Sequence, residues 1–536
     1  MMDADGNHDE SRAEAPSGAP KAARGGDAIP TPPGAQETGY WLTRYVILRL
    51  LGVVYCAAFL SLATQVLPLI GTHGLLPADR FLARVTSRLG STGDAVRALP
   101  SLFWLDTSDR TLLVGAWTGV ALSLVVAVGF ANSLIMAALW ALYLSFVHIG
   151  QDWYGYGWEI QLCETGFLAI FLCPLLDPRP FPRRPPPVAV IWLYRWLIVR
   201  IMLGAGLIKL RGDACWRDLT CLYYHYETQP IPNPLSRTLH FMPPWFHRLG
   251  VLFNHVAELG APWFAFGPRR ARHAAGAVML ALQIILILSG NLSFLNWLTI
   301  VPILACFDDG LLRRVLPAAG RAAARAADTA VPSRARQVAV AGLVALVAWL
   351  SVAPVANLLS TRQVMNTSFG PLALVNTYGA FGSVGRERNE IIFEGTADAA
   401  SDEHAEWRAY ELPCKPGDPM RRPCVIAPYQ PRLDWAIWFA AMSTPERYPW
   451  TLHLVWKLLH NDPGTLSLLA GNPFPDAPPT FIRARLYRYR FAPAGDASAA
   501  WWTRTLVAEW LPPLSADDPR LLRFLAAYGW DGGDGE

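Results

Sequence analysis

YVILRLLGVVYCAAFLSLATQVLPLI, residues 45–70, decides what kind of protein this is. It carries one charge, Arg49, in an otherwise apolar run, and a bilayer core takes about 20 such residues in a helix. The segment therefore reads as a membrane span rather than a buried core helix. Working outward, the same signature recurs at residues 111–131, 133–147, 160–176, 188–207, 249–266, 273–289, 292–306 and 338–355. That makes a polytopic α-helical membrane protein with roughly nine spans. Composition agrees: 52% of residues are hydrophobic and 16% charged, against about 25% charged in ordinary globular domains. The formal charge of +4 is small and scattered, which excludes a nucleic-acid surface. Residues 1–39 are polar and rich in Ala, Gly and Pro, and are expected to form a disordered cytoplasmic tail. They lack the apolar core of a secretory signal, so the first span stays in the mature chain.

Arginines set the orientation. With the N-terminus inside, the inner loops hold Arg179, Arg183 and Arg184, then Arg269, Arg270 and Arg272, then the arginines of 313–336, while the short outer turns at 150–157 and 290–291 hold none. The long outer loop 71–110 holds five arginines, but basic residues far from a span weigh less. The C-terminus is thereby expected outside. Within the spans, Glu164, Arg195 and Arg200 are costly in lipid and should turn inward and pair with one another. Lys209 closes the fifth span, and His148, Asp152 and Glu159 border the outer ends. Two readings of this group stay open: a polar cavity opening outward, or buried pairs that fix helix packing.

Beyond the membrane domain, 40–356, the apolar runs stop, and 357–536 reads as an extracytoplasmic α+β domain. Residues 390–395, 407–412 and 481–491 have strand character, 435–442, 450–459 and 520–528 helical character, and Pro-rich joints such as LPPLS separate them. Cys56, Cys163, Cys173 and Cys306 fall in spans, where a thiol is a small apolar filler. Cys215, Cys221, Cys414 and Cys424 fall outside. Their even number in an oxidising space suggests the bridges Cys215–Cys221 and Cys414–Cys424, four unpaired thiols being the alternative. The spacing is not that of a zinc site, and no metal is implied. Asp418, Arg421, Arg422, Arg432 and Asp434 gather near the loop that the second bridge would close, with Trp435 beside them.

Four stretches are too distinctive to be generic membrane sequence: PLIGTHGLLPADRF (68–81), GAGLIKLRGDACWRDLTCLYYHYETQPIPNPLS (204–236), YGAFGSVGRERNEIIFEGT (378–396) and KPGDPMRRPCVIAPYQPRLDWAIWFAA (415–441). With PWTLHLVWKLLHNDP (449–463) and EWLPPLS (509–515), they resemble the lipase maturation factor family over about residues 40–520. The Arg-, Ala- and Pro-rich composition has the flavour of a bacterial genome, pointing to a bacterial member in an inner membrane. The resemblance implies a membrane-bound, chaperone-like folding factor for secreted lipases. Animal members sit in the endoplasmic reticulum membrane with the C-terminal domain in the lumen. Its partners would be the bilayer and an exported client, by resemblance a lipase, with no cofactor. Arg421, Arg422, Arg432, Asp434 and Trp435 are then the candidates for client contact.

GAGLIKL…CW also looks like part of the vitamin K-dependent γ-carboxylase membrane domain. That resemblance implies an alternative, an intramembrane enzyme using Lys209 as a base beside Glu164, Arg195 and Arg200; the plainer reading is a Lys that snorkels to the interface. Walker A, HExxH, GxGxxG and GxSxG motifs are absent, which argues against a nucleotide enzyme or a serine lipase. The sequons at Asn291 and Asn366 mean little in a bacterial chain. The arginine rule yields a direct expectation. Alkaline phosphatase, active only outside the cytoplasm, is expected to be active when fused after residue 400 and silent when fused near Arg325; the reverse pattern overturns the orientation.

Overall fold

The computed structural model describes residues 39–402, 404–493, 495 and 499–530. The tail expected to be disordered, 1–39, lies outside the described residues apart from Gly39. Among the described residues, five helices are long and apolar enough to cross a membrane. They are α1 (Trp41–Ala63), α2 (Asp109–Val128), α5 (Val188–Arg211), α7 (Arg269–Ser289) and α9 (Arg334–Leu350), the last running on into Val352–Leu359. The other four segments expected as spans are shorter or broken. Helix α3 (Ser133–Ile149) has 17 residues and α4 (Gly157–Leu172) has 16, stopping short of Pro174. Residues 244–266 form α6 (Pro244–His255), then a π-helical turn Val256–Gly260 and a 3-10 turn Ala261–Phe266 that contains Pro262. Helix α8 (Leu295–Ile303) carries Pro302 and tightens into a 3-10 turn, Leu304–Cys306. Proline removes a backbone donor and crowds the preceding turn, so hydropathy counted these residues but not where their helices end.

Side-chain caps start several of the helices. Ser108 accepts from the Thr111 amide ahead of α2, and Asn132 accepts from the Ile135 amide ahead of α3. Helix α5 is the axis of the bundle: 78% of its most apolar stretch is buried, against 28% for α7 and for Arg334–Leu359, whose apolar flanks are left to lipid.

The bundle has two chemically different poles. At one, helix ends are tied together by arginine and aspartate. Asp309 accepts from the amides of Trp41 and Leu42 at 2.9 and 2.8 Å, Arg269 pairs with Asp308 at 2.8 Å, and Arg44 donates to the Arg184 carbonyl at 2.8 Å. At the other, the C-terminal part of the chain docks. There a small hairpin, β1 (Thr367–Ser368) with β2 (Asn376–Thr377), leads into a four-stranded antiparallel sheet of order β4-β3-β5-β6. Strand β3 (Arg388–Thr396) pairs along its whole length with β5 (Phe481–Phe491). Only Arg408 and Ala409 of the strand expected at 407–412 pair, as β4. Strand β6 (Trp502–Leu514) runs through the segment read as a Pro-rich joint. It is an edge strand, where Pro512 and Pro513 need no outward partner for a missing N–H. Helices α10 (Arg432–Ala440), α11 (Trp450–Leu459) and α12 (Pro519–Tyr528) pack in this part, the last where helical character was expected at 520–528.

One hydrophobic core runs without interruption from Ile47 in α1 through Leu162 and Leu197 to Phe393 in the sheet and Leu454 in α11. Polar side chains lock the junction. Gln65, just past α1, donates to the Gln430 carbonyl at 2.9 Å and accepts from the Arg432 amide at 2.9 Å. Asn291 is buried and holds the 424–427 backbone through Cys424, Ile426 and Ala427, so this sequon is closed to modification in the folded chain. The strongest tie is ionic. Arg432 reaches back 273 residues to Glu159 on α4 at 2.8 Å, donates to the Trp153 carbonyl, and lies 3.6 Å over the Tyr154 ring; both charges are fully buried. Removing one partner of such a pair costs about 3–5 kcal/mol. Arg432→Leu is therefore expected to lower thermal stability in detergent by that order, and adding Glu159→Gln to recover more than half of the loss. An Arg432→Leu protein as stable as the parent contradicts the pairing.

Candidate functional site

Where the bundle meets the sheet, a cavity of about 430 Å³ opens. Helix α4 contributes Trp158 and Gln161, α5 Ile201 and Ala205, and the end of α10 Trp435, Trp438 and Phe439, followed by Met442. The backbone of 378–385 closes one side. That segment, YGAFGSVG, lies directly on α5 because α5 presents glycine to it. A Cβ on Gly204 would stand 2.3 Å from the Tyr378 carbonyl oxygen, and one on Gly212 would stand 2.2 Å from that of Gly382. Both clashes are with backbone, which cannot swing aside. The aromatic wall is ordered by ring packing: Tyr156 stacks on Trp158 at 4.6 Å, and Trp158 meets Trp435 edge-on at 5.0 Å. His225 also lines the cavity, and burial, helped by the nearby positive charge of Lys209, pushes its pKa down to about 4. Its imidazole is neutral at pH 7, and the two charged residues of the lining, Glu387 and Arg388, are paired with Arg488 and Glu390, which leaves the aromatic wall as the apolar contact surface.

The structure separates the charges that the sequence grouped. Glu164 and Arg200 do pair, both buried. They form a socket: Glu164 accepts from the Asn376 amide at 3.0 Å, the Asn376 side chain at 3.1 Å and the Tyr378 hydroxyl at 2.7 Å, while Arg200 donates to the Asn376 carbonyl at 2.7 Å. Neither Asn376 nor Tyr378 was singled out by sequence reasoning, although Tyr378 opens a quoted motif. Arg195 is not part of this socket. It donates to the Ala305 carbonyl at 2.8 Å and the Tyr40 hydroxyl at 2.7 Å, meeting a carbonyl in the 3-10 turn that follows Pro302. Lys209 is elsewhere again. Its ammonium donates to Glu258 at 2.5 Å and Asn254 at 3.2 Å and lies 4.9 Å from the Trp216 ring. The π-helical turn after α6 carries Glu258 to that position. The single polar cavity through Glu164, Arg195, Arg200 and Lys209 is therefore replaced by three separate sets of contacts. His148 bonds the Pro371 carbonyl at 2.7 Å, and Glu159 serves Arg432.

Three of the residues read as client contacts are interior. Arg432 and Asp434 are 0% exposed and Trp435 is 4% exposed, because their helix packs its charged first turn against the bundle rather than toward solvent. Arg421 is half-buried, donating to the carbonyls of Leu412 and Lys415. Arg422 is exposed, 5.7 Å over the Trp501 ring. Met420 and Val425 stand 52% and 76% exposed on the same loop. Cys414 and Cys424 close that loop at disulfide distance, with Cα atoms 5.5 Å apart, and Cys215 and Cys221 stand 4.8 Å apart. Among the described residues no group of three or more His, Cys, Asp or Glu side chains is placed to hold a metal ion.

Two family models match the chain: the lipase maturation factor transmembrane domain over residues 42–314 and the lipase maturation factor C-terminal domain over residues 374–512. The chain is 50% identical to lipase maturation factor 1 of Bos taurus over 533 residues, which cover 95% of this chain and 94% of that one. It is 48% identical to lipase maturation factor 1 of Homo sapiens, with 93% and 92% covered, and 30% identical to human lipase maturation factor 2, with 92% and 85% covered. No solved structure matches. These relatives are animal proteins, so the expectation of a bacterial member in a bacterial inner membrane is not borne out.

Asp434 generates a pH test. Its carboxylate accepts from the Cys414 and Lys415 amides at 2.8 and 2.7 Å, yet burial outweighs these bonds and pushes its pKa up to about 6. A folded pKa above the unfolded value of about 3.9 means that the folded state binds the extra proton. The stability Asp434 contributes is thus full below about pH 4 and lost as pH rises through 6, by about 3 kcal/mol. His225 and His453, each pushed down to about 4 mainly by burial, run in the opposite sense over the same window. The difference between the parent and Asp434→Asn isolates the aspartate. In thermal melts across pH 4–7 the parent is expected to lose stability relative to Asp434→Asn, and parallel profiles contradict the assignment.

Proposed function

We propose that this chain, which belongs to the lipase maturation factor family, is a membrane-bound folding factor for an exported lipase. It is a multi-pass membrane protein. In this reading residues 40–356 hold it in the bilayer, and 357–536 stand outside the cytoplasm as the client platform. The separation of the poles supports that orientation: the arginine-rich helix ends gather away from the sheet, as the positive-inside rule asks. In an animal cell the corresponding placement is the endoplasmic reticulum membrane with the platform in the lumen.

The observation that carries the reading is the aromatic cavity of about 430 Å³ at the junction. Its walls of Trp158, Trp435, Trp438, Phe439 and Met442 suit an apolar segment of an unfinished client, and methionine adapts to varied shapes. The exposed Met420, Arg422 and Val425 offer a second contact on the Cys414–Cys424 loop. Trp435 keeps a role as a wall of the cavity, whereas Arg432 and Asp434 act as positioning residues. The alternative of a Lys209 base draws no support from the relatives, and the Lys209–Glu258 pair accounts for both charges as internal partners.

The test is a cell line lacking its own maturation factor, secreting a lipase whose activity is read per unit mass. The parent chain is expected to raise that specific activity. Trp438→Ala should lower the gain by about fivefold, on the order of 1 kcal/mol for an aromatic anchor, at unchanged membrane abundance. The charge-free pair Lys209→Gln/Glu258→Gln should retain it. No gain from the parent refutes maturation, and loss in the Lys209→Gln/Glu258→Gln protein at normal stability favours the enzyme.

A further inference from the structure

On the arginine pole two apolar grooves run side by side. One, of about 760 Å³, lies between the start of α3, the end of α4 and the start of α9, against Ile170, Phe171, Leu175 and Leu176. The other, of about 470 Å³, lies between the starts of α5 and α9, against Val188, Ala341 and Val344. They share one ridge: Arg184, Ser333, Arg336 and Val340 line both. Apolar side chains stand open around them, with Leu175 64%, Leu176 68%, Val188 52% and Val338 72% exposed. Since α5 and α9 begin here as membrane-crossing helices, the grooves lie at the depth where hydrocarbon gives way to headgroups.

The charge on the ridge is one-sided. Arg179, Arg183, Arg184 and Arg336 line the larger groove with a single acid, Asp177, and that acid is taken by Arg179 at 2.6 Å. Arg184 donates to the Val331 and Pro332 carbonyls at 2.9 Å, and Arg336 to that of Leu172 at 2.9 Å and to that of Cys173 at 3.1 Å. These bonds orient the guanidinium groups without neutralising them. Arg183 is exposed and has no ion pair among the described residues. Behind the ridge, buried Arg44 has one terminal nitrogen without a hydrogen-bond partner, as does the Nε of Arg336.

We propose that this ridge is a binding site for an anionic diacyl phospholipid, its phosphate over Arg183 and Arg184 and one acyl chain in each groove. A guanidinium pair matches a phosphate by two parallel hydrogen bonds, and basic pockets between membrane helices recognise headgroups in this way. A soluble phosphate would use the arginines but leave both grooves empty. A neutral lipid would fill the grooves but leave the charge unmatched. The inference rests on the membrane-spanning helices and is independent of lipase maturation.

The experiment is native mass spectrometry of the full-length protein in detergent, titrated with dioleoyl phosphatidylserine or dioleoyl phosphatidylcholine. The anionic lipid is expected to bind at least about tenfold more tightly. Arg183→Gln/Arg184→Gln should weaken it about 25-fold, at about fivefold per guanidinium. Arg325→Gln, an exposed arginine on the same pole outside both grooves, should change it less than about twofold. If Arg183→Gln/Arg184→Gln does not fold, Arg183→Gln alone, whose side chain has no internal ion pair, should still cost about fivefold. Glycerophosphoserine, the headgroup without chains, should fail to compete. Equal affinity for the two lipids, equal loss in Arg325→Gln, or full competition by glycerophosphoserine each overturns the proposal.

Discussion

A charge taken out of water must find its counter-charge, and of the two carboxylates of α4 one finds it 36 residues on and the other 273 residues on. Glu159 pairs with Arg432, and Glu164, already neutralised by Arg200, takes its remaining hydrogen bonds from Asn376 and Tyr378. Buried pairs of this kind add little net stability, because desolvation offsets most of the attraction. They add selectivity instead: a docking of the C-terminal part in another register strands a charge in an apolar interior. The continuous core supplies the adhesion, and the ion pairs allow one position of it.

The aromatic cavity follows from that position. Trp435 reaches Trp158 because Arg432, three residues earlier on α10, is fastened to α4 one residue from Trp158. The opposite wall depends on Gly204 and Gly212, whose missing side chains admit the 378–382 backbone against α5. A site built between two parts of a chain needs both to be rigid, and here each wall is set by a contact that no mobile side chain can imitate.

Much of this was legible in the residues, and what was not has definite causes. Hydropathy located the five described helices long and apolar enough to cross a membrane, but four of its nine segments are shorter or broken, and where helices end depends on Pro174, Pro262 and Pro302, which a window average does not see. The expense of charge in lipid foretold that Glu164 would pair, and Arg200 lies 36 residues away in the next long helix. Arg195 defied the same rule because a proline-terminated helix offered it a free carbonyl, and a backbone acceptor has no signature in sequence. The Glu159–Arg432 tie spans 273 residues, beyond any local pattern. Arg432, Asp434 and Trp435 were read as surface because charge clusters ordinarily are. Their helix carries its polar first turn inward to meet charges already buried there.

The long-range tie also governs the order in which the molecule can be finished. Helix α4 leaves the ribosome with two carboxylates destined for an apolar interior, and the cation for one of them arrives only after 273 further residues have been made. Until then Glu159 has the Tyr143 hydroxyl as a partner but no cation. A message truncated before residue 432 yields a chain that has the five long apolar helices and lacks the cation that Glu159 meets in the folded molecule. The packing of α4 is thus completed by a residue made after every one of those five helices.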